Sequence, residues 1–263
     1  MGQRDPEESM NKLFLQEDLR NTAEIHITGA DAHHLRDVLR MKPGELFLVS
    51  CGDEWEYTCR IESISEKEVT ASVTDAQKPG KELPSRILLL QCLPKGDKME
   101  TVIQKAVELG AAEIVPVTSS RCVVKLDAKK AEAKVKRWNA ISESAAKQAK
   151  RMVIPAVHDV LGFGEALRYA QAAGSAETDE EPVLLMPYEN AQGMDDTRKL
   201  LSSIRPGQPA AILIGPEGGF SEEEVREARQ AGFQTITLGK RILRTETAGM
   251  TALSILMYLL ETD

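Results

Sequence analysis

The chain has 263 residues, of which 42% are hydrophobic, 28% charged and only 4% aromatic, with a formal charge of −8. That length has room for one large or two modest domains with a sizeable core, the composition is that of a globular protein, and no stretch approaches the ~18 uninterrupted apolar residues of a membrane span. Cys51, Cys59, Cys92 and Cys122 form no close metal-ligand pair and the four histidines supply none, so reduced thiols and no metal centre are expected.

Residues 1 to 11 are polar and read as an extension; Asp5, Glu7 and Glu8 leave no room for the basic and apolar regions of a secretory signal, so a cytoplasmic location is expected. Short β-rich stretches follow at 24–27, 46–50, 57–64 and 69–73, separated by turns such as Lys42-Pro43-Gly44 and Cys51-Gly52-Asp53. Regular short strands with turn punctuation predict a small β-barrel over residues 1–74, with one inserted helix from Ala32 to Leu39. Asp75 to Pro84, containing Lys78-Pro79-Gly80-Lys81, is the expected linker.

From residue 85 to residue 263 the pattern changes. Strands at 87–93, 113–117, 183–187, 210–214 and 235–238 alternate with helices, of which 98–109, 128–150 and the apolar 248–260 are the clearest. Such alternation predicts an α/β domain with a mostly parallel sheet covered on both faces. Ala173 to Glu181 is a polar loop without an assignable role. From Cys92 to Arg151 there are 13 Lys or Arg against 7 Asp or Glu, a local +6 that leaves −14 for the remainder. Local potential decides phosphate binding more than total charge does, so a basic face is compatible with an acidic chain.

Two runs carry the chemistry. Ile214-Gly215-Pro216-Glu217-Gly218-Gly219-Phe220 follows a buried strand, and Ser221 with Glu224 three residues on completes a helix capping box. A glycine turn before a helix N-terminus usually suits phosphate, but Glu217, Glu222, Glu223 and Glu224 would repel it, and neither a P-loop nor a dinucleotide fingerprint is present. The turn therefore points to a neutral or cationic nucleotide-like ligand lying against bare main chain. The second run, Leu238-Gly239-Lys240-Arg241-Ile242-Leu243-Arg244-Thr245-Glu246-Thr247-Ala248, joins a strand to the last helix with more charge than a connection needs. Lys240 in it reads as a solvated loop residue, whereas residues 244–247 directly precede a helix that looks buried.

Together these runs closely resemble the ribosomal RNA small subunit methyltransferase E family of the SPOUT superfamily. Leu93-Pro94-Lys95-Gly96-Asp97-Lys98-Met99-Glu100, Gln104 to Ala111, Ser119 to Lys125 and His33 to Arg40 are similar to that family as well, so the resemblance covers nearly the whole chain from about Lys12. It implies a PUA-like β-barrel followed by a trefoil-knotted sheet domain, a homodimer, S-adenosyl-L-methionine as cofactor without a metal, and methylation of N3 of a uridine in 16S ribosomal RNA of the small subunit. Met186, Pro187, Tyr188, Gly215, Pro216, Glu217, Gly219, Leu238, Gly239, Ile242, Leu243, Thr245 and Ala248 are then the expected cofactor site. Arg244 is the expected donor to the uracil oxygens, and Glu246 or Glu217 the proton acceptor. Lys12, Arg36, Arg40, Lys42, Arg121, Lys125 and Arg151 are the expected RNA contacts. Lys12 stands where the resemblance implies an arginine, and Ser144 and Lys147 where it implies glutamates. The cofactor motifs by themselves do not name the target base, so another RNA substrate or a non-catalytic RNA-binding protein stays open.

Overall fold

The computed structural model describes residues 10–15, 17–173, 180–191 and 193–262. Most of the polar extension and of the loop at 173–181 lies outside the described residues. The chain divides into two compact units, one of residues 1–82 with Lys150–Val153 and one of residues 83–149 with 154–263.

The first unit is a five-stranded curled sheet in the order β1-β3-β4-β5-β2. Its strands are β1 (Lys12–Phe14), β2 (Glu24–Thr28), β3 (Leu46–Ser50), β4 (Glu56–Ile64) and β5 (Glu68–Gln77). Alternation sets the faces: Ile25 and Ile27 of β2 turn inward opposite Ala71 and Val69 of β5, and Phe47 and Val49 of β3 lie opposite Cys59 and Tyr57 of β4. β5 continues to Gln77, so the expected linker begins inside a strand. β1 was not expected, because three residues carry too little periodicity; it pairs in parallel with β3. The helix expected at Ala32–Leu39 begins earlier, as α1 (Gly29–His33), and passes into one π-helical turn over His34–Val38.

Lys150–Val153 joins this unit through Glu82, whose carboxylate pairs with Arg151 and accepts the backbone N–H of Met152 at 2.8 Å and Val153 at 3.3 Å. Lys12 Nζ reaches Met152 Sδ at 3.0 Å and Glu56 at 2.8 Å.

The second unit is built on a parallel sheet in the order β12-β10-β11-β6-β7-β8, with β9 also pairing β7. The strands are β6 (Ile87–Cys92), β7 (Glu113–Thr118), β8 (Ala156–Val157), β9 (Leu161–Gly162), β10 (Val183–Pro187), β11 (Ala210–Ile214) and β12 (Gln234–Ile236). The helices are α2 (Lys98–Glu108), α3 (Ala128–Gln148), α4 (Phe163–Ala172), α5 (Met194–Ser202), α6 (Glu222–Gln230) and α7 (Thr245–Leu260). Every residue of β6 and β11 is buried, as befits central strands covered on both faces. β6 is followed by β7 on one side, while β11, β10 and β12 lie on the other. The order therefore reverses beside β6, and the crevice outside the carboxyl ends of these strands is the place where such sheets bind ligands.

Two boundaries near that crevice differ from expectation. β12 ends at Ile236 rather than 238, because the Thr237 N–H goes to Thr197 Oγ1 at 3.1 Å instead of continuing a ladder. α7 starts at Thr245 rather than 248, with Arg244 extended at its N-cap, so Thr245, Glu246 and Thr247 form the first helical turn and not a loop.

Candidate functional site: a cavity at the strand carboxyl ends

The turn after β11 is built by its own side chains. Ser221 Oγ accepts from Glu224 N at 3.2 Å and Glu224 Oε2 accepts from Ser221 N at 2.8 Å, the reciprocal capping expected. Glu224 Oε1 also accepts the Ser120 N–H at 2.7 Å, tying this turn to the loop after β7. Gly219 sits at φ +66°, a conformation side-chain-bearing residues rarely adopt. Gly215 and Gly218 serve packing: an added Cβ would lie 3.1 Å from the Phe220 ring in the first case and 3.2 Å from Arg121 Cβ in the second. The close approach at Gly218 is thus made by Arg121, not left for a ligand.

α7 is anchored to the same turn. Thr245 Oγ1 donates to the Gly215 carbonyl at 2.6 Å and accepts from Gln91 Nε2 at 2.8 Å, Thr245 and Gln91 being buried and Gly215 half-buried. Thr245→Val keeps the volume but leaves the carbonyl and the amide without this partner. It is expected to cost about 1–3 kcal/mol, read as a lower midpoint in chemical denaturation.

Between these elements lies a cavity of about 420 Å³, within the usual range for a small-molecule site. Of the expected cofactor residues, Pro187, Tyr188, Gly215, Pro216, Glu217, Gly219, Leu238, Gly239, Ile242, Leu243, Thr245 and Ala248 line it. Met186 does not: it is fully buried inside β10, since successive strand residues face opposite sides. Arg244 lines the cavity, is exposed, and makes no side-chain hydrogen bond or ion pair among the described residues. Glu246 is set back from the lining, with Oε2 buried. Lys240 is exposed in its loop, as expected, and also contributes to the wall.

Charge of both signs lines this space. Lys240, Arg241 and Arg244 come from one loop, while Glu189 and Glu217 stand on the turns after β10 and β11. Glu217 Oε1 accepts from Lys95 N and from Lys98 Nζ, each at 3.0 Å. Burial pushes the Glu217 carboxyl up, but these N–H groups and the ammonium together pull it below its usual range. Lys98, Phe220 and Thr237 also line the cavity without having been singled out as site residues. Lys98 belonged to a quoted run, but nothing in sequence spacing places α2 beside the turn after β11.

The expected RNA contacts separate into two groups. Lys12 and Arg151 are nearly buried in ion pairs with Glu56 and Glu82, and burial pulls the Lys12 ammonium below its ordinary value despite its Glu56 partner. Neither is presented to solvent as a phosphate contact requires. Arg36 is engaged by Asp37 and by the Ser65 and Glu66 carbonyls. Arg121 is exposed but donates to the Gly218 carbonyl at 3.0 Å. Arg40, Lys42 and Lys125 are exposed, Arg40 with φ +54°.

The glycine-turn cavity lies at the carboxyl ends of a parallel sheet, in a chain whose other unit is a small curled sheet, and family matches to both stretches define the class as RNA methyltransferase. The RNA methyltransferase domain family matches residues 81–257, and the RNA methyltransferase PUA domain family matches residues 27–74. Ribosomal RNA small subunit methyltransferase E of Bacillus subtilis strain 168 is 36% identical over 253 residues, covering 95% of this chain and 96% of that one. Its counterpart from Synechocystis is 31% identical, covering 91% of this chain and 74% of that one. The crystal structure of ribosomal RNA small subunit methyltransferase E from Neisseria gonorrhoeae bound to S-adenosyl methionine is 33% identical, covers 95% of this chain and 98% of that one, and superposes with a TM-score of 0.78. This chain belongs to the ribosomal RNA small subunit methyltransferase E family.

Proposed function

We propose that the protein transfers a methyl group from S-adenosylmethionine to N3 of a uridine in 16S ribosomal RNA. The observation that carries this reading is a cavity lined both by Arg244, exposed and without a side-chain partner among the described residues, and by the carboxylates of Glu189 and Glu217. The residues present fit the cofactor: the lining offers apolar surface from Ile214, Phe220, Leu238, Ile242 and Leu243, bare main chain at Gly219 and Gly239, and negative charge suited to a cationic ligand. When bound, S-adenosylmethionine supplies an electrophilic methyl group.

The rest of the chemistry falls to the chain. Uracil N3 carries a proton and is a weak nucleophile until negative charge can spread over O2, N3 and O4. Arg244 offers rigid donors for those oxygens. Of the two candidate proton acceptors, Glu217 faces the cavity, whereas Glu246 is held behind it. Arg40, Lys42, Arg121 and Lys125 are the basic groups on the surface that would take RNA phosphates and fix register without reading sequence. Among the described residues no His, Cys, Asp and Glu cluster could hold a metal, and no helix is long and apolar enough to cross a membrane. A ribosomal substrate places the protein in the cytoplasm.

A homodimer with each S-adenosylmethionine pocket next to the partner subunit, and a trefoil-threaded last helix, belong to the same reading. It is supported by Tyr258 of α7 and Ile242 of the preceding loop, 82% and 86% exposed, and by the tie from Thr245 to Gly215 and Gln91. Mass mapping of nucleosides in ribosomal RNA from cells with and without the protein tests the function. Loss of 3-methyluridine from 16S RNA is expected; an unchanged 3-methyluridine content with loss of another methylated nucleoside would assign a different target.

A further inference from the structure

Three charged side chains from three separate segments meet beside the cavity. Lys98 opens α2, Glu217 stands in the turn after β11, and Glu246 lies in the first turn of α7. The Lys98 ammonium is 3.0 Å from Glu217 Oε1 and 3.4 Å from Glu246 Oε2. That Oε2 is buried without a hydrogen-bond partner among the described residues, so the ammonium is what compensates its charge. An uncompensated buried carboxylate is costly, and two carboxylates on one side of a small cavity repel each other. Lysine suits the position, being a compact point charge with three donors that can serve two acceptors and still face the cavity. Lys98 and Glu217 both line that cavity.

We propose that Lys98 is a positioning residue of the methyl-transfer site, holding Glu217 and Glu246 in one arrangement and limiting how strongly the pocket prefers the cationic cofactor to its demethylated product. The inference rests on the reading of this cavity as the S-adenosylmethionine site. Methyl transfer turns a sulfonium into a neutral thioether, so positive charge at sulfur is already diminished in the transition state. Two bare carboxylates would stabilise the ground state more than the transition state, which tightens binding and slows turnover. With the ammonium between them, the trio carries a net −1 instead of −2. Lys98 thereby keeps the attraction for a cation from becoming a trap.

The test is calorimetric titration of full-length wild type, Lys98→Met and Lys98→Arg with S-adenosylmethionine, S-adenosylhomocysteine and 5′-methylthioadenosine, paired with single-turnover methyl transfer. In Lys98→Met the preference for S-adenosylmethionine over S-adenosylhomocysteine should rise about fivefold, an amount typical of one partly solvated charge. Affinity for the uncharged 5′-methylthioadenosine should hold, and turnover at saturating cofactor should fall at least roughly tenfold. Lys98→Arg should recover most of both effects. Parallel weakening of all three ligands, or an unchanged preference, overturns the proposal. Should Lys98→Met not fold, Glu217→Gln carries the test by moving the preference the opposite way, toward the product, and no such movement refutes it. A wild-type protein that binds none of the three ligands would instead refute the cofactor reading itself.

Discussion

Arg244→Lys is expected to bind cofactor within a few-fold of wild type yet methylate about 100- to 1000-fold more slowly, the usual cost of losing one aligned donor to developing negative charge. The structure sharpens this expectation. Arg244 lines the cavity at the N-cap of α7 and is exposed, and its guanidinium is not spent on any partner among the described residues. Lysine would keep the charge but lose the planar fork that can meet two acceptors at once. Glu217 and Glu246, by contrast, are both held by Lys98. Single-turnover assays on assembled small subunits and on naked RNA measure the effect, since a wrong choice of substrate would otherwise mimic a catalytic defect. A wild-type rate for Arg244→Lys, alongside a slow Glu246→Gln, would make the arginine structural and move the proton chemistry to the carboxylate.

The second large effect is on acid stability and centres on Glu113, at the start of β7 and remote from the cavity. His158 Nε2 lies 2.6 Å from its Oε2, and Tyr169 and Arg86 also pair with this carboxylate. Burial alone would push the carboxyl up, but the contacts from His158, Tyr169 and Arg86 win and bring it down from 4.5 to about 2. A carboxyl depressed in the folded state contributes stability that is complete above its unfolded value and is lost as pH falls toward its folded one. Here that window runs from 4.5 down to about 2, and with solvent screening of this partly exposed network the contribution is roughly 1–2 kcal/mol. Glu113→Gln should therefore lower the denaturation midpoint at pH 7 and flatten its pH dependence below 4.5. Denaturant titrations at neutral pH and at about pH 3 would show this, and an unaltered acid slope in the variant would remove Glu113 as the source.

The local features of the site were legible in the sequence because they obey short-range rules. β10 and β11 have the bounds that their apolar runs predict, since a strand buried on both faces reads as a continuous hydrophobic segment. The reciprocal Ser221–Glu224 cap needs only a three-residue spacing. The two motif runs after β11 and β12 do converge, because parallel strands of one sheet carry their following loops to the same edge. Family resemblance added the cofactor and the RNA, which no spacing shows.

What the tertiary structure decided were the partners of charged groups, which depend on segments far apart in the chain. Lys12 and Arg151 look like free cations in sequence but are nearly buried against Glu56 and Glu82. Arg121 is drawn to the Gly218 carbonyl, and Lys98 meets Glu217 across 119 positions of sequence. α7 begins three residues earlier than its apolar pattern indicates, because Thr245 finds a hydrogen-bond partner in the Gly215 carbonyl that only the folded sheet supplies. Apolar periodicity records which face of an element is buried, but a charge carries no mark in sequence of whether it ends in water, in an ion pair or at a ligand. That outcome is set by desolvation and by whichever opposite charge the fold brings within reach.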